Sequence, residues 1–342
     1  SPTVAAPLEA AIDQLQRYSN RRREAGLVEM NEGNERLFHT SQFLVATCGE
    51  QARVGTFSSQ AVHFLEWKDT SPIPMAEVAT ELGKPGGMLT SQEKLVAGML
   101  RPAHLLDIVR HFTLFTESGG RTVKIVGRYQ QFRAVQLAVG RLRNGRTRAR
   151  DGEHDRRGGI VWHTQGSGKS LTMVFLVRKM RSDPALRRFK VVVVTDREDL
   201  QRQLKETAVL TGEPVRVARS IRELKTNLSQ KGAGLEFATI QKYRPEEAEP
   251  RAWEPGNGAD LGELRVAEAV QAYGSGPEEV LPVLNDSEEV LVLVDEAHRS
   301  HASTLHGNLL RALPNCARIG FTGTPILMGD RKATHEIFGD FI

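Results

Sequence analysis

GGIVWHTQGSGKSLTMVFLVRKMRS, residues 158–182, sets the frame for everything else in this chain. Its opening, GIVWH, is short and apolar, as a buried strand is, and its close, KSLTMVFLVRKMRS, is an unbroken run of helical length. Between them lies the glycine-rich TQGSG. A strand, a glycine loop and a helix that opens on Lys169 and Ser170 form an arrangement suited to holding phosphate. Glycines let the backbone turn tightly with its N–H groups facing inward, and the helix N-terminus adds partial positive charge. Lys169 is placed to reach β- and γ-phosphates, and the Ser170 hydroxyl suits Mg2+. Written as GxxxxGKS, the motif departs at its first letter, where His163 stands.

Downstream, the pattern alternates strand and helix. KVVVVT (190–195) is apolar without polar alternation, REDLQRQLKETA (197–208) is helical, VLVLV (290–294) is a second continuous apolar strand, and RIGFT (318–322) is a third. Valine-rich runs of this kind belong to parallel sheets covered by helices on both faces. The expected fold from residue 121 to 342 is therefore α/β with a doubly wound parallel sheet. Residues 244–287 are rich in Glu, Pro and Gly and are expected to form a loop-rich insertion, with one helix near LGELRVAEAVQAY. VLVLV delivers Asp295 and Glu296 at its C-terminal end, where ligands sit in an open parallel sheet. An aspartate there can hold Mg2+, and the adjacent glutamate can orient and deprotonate a water. His298 and His301 are three apart, but no HExxH or cysteine pair supplies the further ligand that zinc needs.

Toward the N-terminus, Leu8, Ala11, Ile12, Leu15 and Tyr18 recur at helical spacing. RLFHTSQFLVAT, ARVGTF and AVHFLEWK are short, aromatic and β-branched, the composition of strands and turns. SQEKLVAGMLRPAHLLDIVRHFTLF (91–115) reads as helical, with Pro102 starting a second helix. The expected domains are residues 1–75, 76–120 as a helical linker, and 121–342.

At 342 residues, 39% apolar and 26% charged, the composition is that of a globular protein of two domains rather than a disordered chain. No apolar run approaches the ~20 residues that span a bilayer, and no signal-peptide pattern opens the chain, so the expected setting is cytoplasmic and away from membranes. Cys48 and Cys316 are far apart and lack CxxC partners, which excludes a disulfide framework. The net charge of +4 is too small to identify a nucleic-acid partner, although arginines cluster at 21–23 and 141–157.

DEAH (295–298) with TGTP (322–325) resembles superfamily 2 helicases and translocases, in which the phosphate loop often lacks its first glycine. YQQFRAV (129–135) resembles their Q motif, TDREDLQRQL (195–204) their motif Ia, FATIQKY (237–243) a segment that touches the nucleic-acid backbone, and FTGTP motif III. Together with GGIVWHTQGSGKSLTM, these look like the motor of the restriction (R) subunit of type I restriction-modification enzymes. AIDQLQRY resembles the QxxxY motif of that subunit's PD-(D/E)xK nuclease. The resemblance implies a RecA-like first motor domain, preceded by the C-terminal part of an α+β restriction-nuclease-like domain. It implies ATP on Thr164, Gln165, Gly166, Ser167, Gly168, Lys169 and Ser170, with Gln131 at the adenine, and Mg2+ on Ser170 and Asp295. It further implies catalysis by Lys169, Asp295 and Glu296, coupling by His298, Thr322 and Thr324, and nuclease support by Gln14 and Tyr18. The implied partners are double-stranded DNA and the methyltransferase (M) and specificity (S) subunits.

The family's nuclease acid and lysine precede QxxxY, and its second RecA-like domain follows motif III, so a chain running from Ser1 to Ile342 is expected to be a fragment of a longer protein, weakly active alone. A superfamily 2 helicase or remodeller without nuclease residues would share the motor motifs. A module that binds ATP or DNA with little turnover would share the loop.

Overall fold

In the computed structural model the two valine-rich runs lie side by side at the centre of one sheet. The structure describes residues 5–20, 33–164, 166–195, 198–211, 215–218, 220–238, 282–295, 309, 311–323, 338 and 340–342. The chain divides into two units, one of residues 1–145, 161–187 and 341–342, the other of 146–160 and 188–340.

The first unit opens with α1 (Pro7–Tyr18), begun by a proline whose missing N–H costs nothing at that position. Its Leu8 and Ile12 pack with Leu44, Ala46 and Phe64. The hairpin β1 (Leu44–Thr47) and β2 (Ala52–Gly55) follows, paired antiparallel. AVHFLEWK does not form the expected strand: Ala61–His63 is a 3-10 turn, and only Leu65 bridges to Val54. Helix α2 (Met75–Glu81) lies within a Pro/Gly-rich stretch, and α3 (Ser91–Leu95) starts on a reciprocal capping box between Thr90 and Glu93. Val96–Leu100 is a π-helical turn, after which α4 (Pro102–His111) begins at Pro102 as expected.

The helical reading through Phe115 fails. α4 stops at His111, and β3 (Thr113–Ser118) pairs with β4 (Arg121–Val126) around Gly119 and Gly120, both at positive φ (58° and 72°) as a tight hairpin turn demands. The hairpin is anchored by Lys124, whose ammonium donates to the Ser41 carbonyl at 3.0 Å and to Gln42 Oε1 at 3.2 Å, while burial pushes its pKa down. Helix α5 (Tyr129–Asn144) then packs on a later helix, Lys169–Ser182, through aromatic rings. Phe112 stands 5.0 Å from Phe132 and 5.3 Å from Phe175, centroid to centroid.

A polar cluster joins α4, α5 and that later helix. Asp107 accepts from His111 Nδ1 at 2.6 Å, from Gln136 Nε2 at 2.5 Å and from the Lys179 ammonium. Burial raises the Asp107 carboxyl, but these donors and the Lys179 charge outweigh it and lower its pKa to about 2 from 3.8. A carboxyl depressed on folding stabilises above its unfolded pKa and loses that contribution as pH falls through the folded one. The drop from 3.8 to about 2 corresponds to about 2 kcal/mol, so urea unfolding should show stability falling by that amount from pH 4 toward pH 2. The fall should be blunted in Asp107→Asn; an identical pH profile in the variant would remove Asp107 as the cause.

In the second unit α6 (Arg148–Asp151) is one short turn. The sheet runs β5 (Gly159–Trp162), β10 (Ala317–Thr322), β9 (Val290–Val294), β6 (Lys190–Val194), β8 (Gly234–Ala238) and β7 (Val215–Val217), numbered along the chain. The pairs β10–β9, β9–β6, β6–β8 and β8–β7 are all parallel. Every residue of β6 and β9 is buried, which accounts for the four successive valines of β6 and the unbroken Val/Leu run of β9. Helices α7 (Lys169–Ser182) and α8 (Glu198–Thr211) fall where expected, whereas β7 and α9 (Ile221–Ser229) had no clear sequence signature. Leu224 and Leu228 of α9 pack on Val192, Val194, Val290, Val292 and Val294. The fold is thus α/β, a RecA-like doubly wound parallel sheet in the order 5-10-9-6-8-7. The expected insertion at 244–287 lies mostly outside the described residues.

Four of the seven arginines of 141–157 make side-chain bonds within the fold. Arg143 pairs with Asp183 at 2.6 Å, Arg141 donates to the Phe341 carbonyl at 2.5 Å, and Arg156 meets Asp151 at 3.3 Å. Arg157 is 4% exposed and grips both oxygens of Asp155, the nearest at 2.6 Å.

Candidate nucleotide site

β5 hands the chain to the loop His163–Gly168, and α7 begins at Lys169. Gly166 and Gly168 both take positive φ, 78° and 88°, the left-handed region in which a side chain is strained. Gly168 is the N-cap of α7 and carries no side chain to occupy the helix's first free N–H groups, and no acidic residue stands in the first turn. That combination leaves the helix start open to an external anion. Ser167 folds back on Thr164, its N–H and hydroxyl both donating to the Thr164 carbonyl, at 3.1 and 2.6 Å.

Lys169 is 5% exposed, and Ser170 is half-buried beside it. His163 is 7% exposed, and its Nδ1 is buried without a hydrogen-bond partner among the described residues. Burial pushes its pKa below 6.5 and the Lys169 charge acts the same way, so the imidazole is neutral at physiological pH. Glycine's usual place at the head of the loop is thus filled by a buried, uncharged ring.

Gln131, in the first turn of α5, is 2% exposed. Its Oε1 accepts from the Arg128 N–H at 2.8 Å and its Nε2 donates to the Gly168 carbonyl at 3.0 Å. Thr172 was not singled out from sequence, yet its hydroxyl and its N–H reach the same Gly168 carbonyl, at 3.2 and 3.1 Å. The only signal was its place four residues after Gly168, where a helical threonine bonds back to the carbonyl. Beside the loop opens a cavity of about 760 Å3, walled by Gly166, Ser167, Gly168, Leu171, Tyr129 and Gln131 on one side and by Glu66–Lys68 and Val123–Gly127 on another.

In the second unit, Asp295 directly follows β9, is 5% exposed and accepts from Thr195 Oγ1 at 3.4 Å. Thr322 ends β10 and is fully buried. Gln165, Glu296, His298, His301 and Thr324 lie outside the described residues. Among the described residues no group of three or more His, Cys, Asp or Glu side chains could hold a metal, and both cysteines are free thiols. Gln14 and Tyr18 meet on the exposed face of α1, Gln14 Nε2 donating to the Tyr18 hydroxyl at 2.5 Å. No helix among the described residues is long and apolar enough to cross a membrane.

Residues 130–342 match the SWI2/SNF2 ATPase family. The type I restriction enzyme HindI endonuclease subunit of Haemophilus influenzae is 33% identical over 359 residues, taking in 98% of this chain and 29% of the relative. A relative from Methanocaldococcus jannaschii, named for the MjaIXP endonuclease subunit of the same enzyme type, is 31% identical over 313 residues, 90% of this chain and 27% of its own. The chain thus spans less than a third of these relatives. A solved Sulfolobus solfataricus SWI2/SNF2 ATPase core in complex with dsDNA superposes with a TM-score of 0.35 at 13% identity, over 61% of this chain and 35% of that one. Matched over residues 130–342 and aligned through nearly its whole length, the chain belongs to the SWI2/SNF2 ATPase family and is a homologue of type I restriction enzyme endonuclease subunits.

Proposed function

We propose that this chain is the ATPase motor domain, with the preceding segment, of a type I restriction enzyme endonuclease subunit. The whole protein hydrolyses ATP to translocate double-stranded DNA and cleaves that DNA, working in the cytoplasm with methyltransferase and specificity subunits. The observation that carries the reading is the 33% identity to one such subunit over 98% of the chain. The loop geometry supports it, because an uncapped helix start with two left-handed glycines and a buried lysine suits a triphosphate.

In this reading the backbone N–H groups of Thr164–Ser170 and the ammonium of Lys169 hold the phosphates. The adjoining cavity of about 760 Å3 has room for the nucleoside. A hard cation prefers oxygen ligands, so by donor chemistry the Ser170 hydroxyl and the Asp295 carboxylate are the groups that would take Mg2+, which would neutralise phosphate charge. Glu296 orients and deprotonates the attacking water, while His298, Thr322 and Thr324 relay the state of the nucleotide to the DNA path. Gln14 and Tyr18 serve the nuclease.

With the whole subunit, phosphate release from ATP should rise at least tenfold on adding duplex DNA, and a triplex-forming strand placed downstream should be displaced as ATP is consumed. Turnover indifferent to duplex DNA, or hydrolysis without displacement, would sink the translocase reading.

A further inference from the structure

Gln131 is a buried amide whose two ends are tied to two different pieces of backbone. Its Oε1 takes the Arg128 N–H at 2.8 Å, one of the donors that the start of α5 leaves unsatisfied. Its Nε2 gives a hydrogen to the Gly168 carbonyl at 3.0 Å, across 37 residues of chain. The fit at Gly168 is close, since a Cβ there would lie 2.6 Å from Gln131 Nε2. These bonds use one Oε1 lone pair and one Nε2 hydrogen, and the amide's remaining lone pair and hydrogen sit in a side chain that is 2% exposed, which leaves little of it to meet a nucleobase unless bonds at both ends are given up.

The Gly168 carbonyl belongs to the same planar peptide as the Lys169 N–H. In a trans peptide the two point in opposite directions, so whatever holds the carbonyl aims the N–H. Thr172 holds it from within α7, through its N–H at 3.1 Å and its hydroxyl at 3.2 Å. Gln131 holds it from α5, the one described side-chain donor that reaches it from outside the helix. The Lys169 N–H is the first of the helix and sits at the left-handed turn of Gly168, φ 88°.

We infer that Gln131 is a positioning residue for the phosphate loop: through the Gly168 carbonyl it aims the Lys169 N–H at bound phosphate, and it does not select the base. This rests on the reading of residues 163–170 as a phosphate loop. It predicts that losing the amide weakens every polyphosphate alike, whatever base is attached.

Titration calorimetry with inorganic tripolyphosphate, ATP and GTP on the wild-type protein and on Gln131→Ala separates the two roles. The expected result is a fall of about tenfold in tripolyphosphate affinity, with ATP and GTP weakened equally, so that their ratio stays within about twofold of wild type. Tripolyphosphate affinity unchanged within twofold overturns the inference. So does a collapse of the ATP-to-GTP ratio, alone or with a loss of tripolyphosphate, because either makes the amide a reader of the base. If Gln131→Ala does not fold, Gln131→Glu keeps an acceptor for the Arg128 N–H and sets a carboxylate against the Gly168 carbonyl, and the same outcomes apply. Lys169→Ala is the control for the site itself. If wild type binds no tripolyphosphate, or Lys169→Ala binds it as well as wild type, the phosphate-loop reading fails and this inference with it; if only the Gln131 variants bind normally, this inference alone fails.

Discussion

In the whole endonuclease subunit, Lys169→Ala lowers ATP turnover by about a thousandfold or more while leaving the fold intact. The side chain begins α7 and is 5% exposed, so its charge acts where little water competes. Alanine is a good helix former and removes no cap, since Gly168 at the N-cap makes no side-chain hydrogen bond. The backbone N–H groups remain, and nucleotide binding should weaken less than turnover does. Phosphate release in the presence of duplex DNA reads the first effect and thermal melting reads the second. Turnover within tenfold of wild type, in a variant that melts normally, would show that the chemistry does not depend on this lysine. A chain that served only to bind nucleotide would show no turnover to lose, and so would fail this expectation before any residue was changed.

Arg157→Ala destabilises the protein by about 3–5 kcal/mol without altering how DNA binding depends on salt. The residue is 4% exposed, and each of its three guanidinium nitrogens donates a hydrogen bond. Its Nε and Nη2 meet both Asp155 oxygens at 2.6–3.1 Å, Nη1 reaches the Glu288 carbonyl at 2.6 Å, and Nη2 reaches the Asn315 carbonyl at 2.9 Å. It also lies 6.0 Å from the Phe189 ring. Alanine keeps the residue-157 N–H that Asp155 Oδ1 accepts at 2.9 Å but removes the guanidinium from the carboxylate and from two carbonyls, and a largely buried carboxylate stripped of its counter-charge is the costly part. Arg157→Lys returns the charge but not the planar fork, and recovers only part of the loss. Urea unfolding gives the first quantity and the slope of log affinity against log salt the second. A loss below 1 kcal/mol, with that slope reduced by about one, would reassign Arg157 to a phosphate contact on DNA.

The legible parts of this fold are those in which a single pattern has a single structural solution. KSLTMVFLVRKMRS became α7 residue for residue, because a strand and a glycine loop mark its start and Asp183 ends it. KVVVV and VLVLV became β6 and β9, because only strands buried on both faces tolerate four or five successive apolar residues without a polar alternate. FTLF went the other way. It continues the apolar spacing of α4, and the cue that turns Thr113–Ser118 into a strand, the Gly119–Gly120 hairpin, lies after it. AVHFLEWK had strand composition but no continuous partner beyond the bridge at Leu65. A strand needs a neighbour, and composition does not report one.

The site divides along the same line. Local sequence determined the strand, the loop with its glycines, Lys169 and Ser170 at the helix start, and Asp295 after its own buried strand, since backbone freedom, helix dipole and side-chain chemistry are properties of a few adjacent residues. Tertiary structure alone decided that Gln131 spends its amide on Arg128 and Gly168, that a ring nitrogen of His163 is buried without a partner among the described residues, and that Arg157 is a core residue inside a run of basic sequence. The roles of Gln131 and Arg157 depend on hydrogen-bonding partners distant in sequence, Gly168 for Gln131 and Glu288 and Asn315 for Arg157, and a buried polar group takes its role from whichever partner the fold brings within reach.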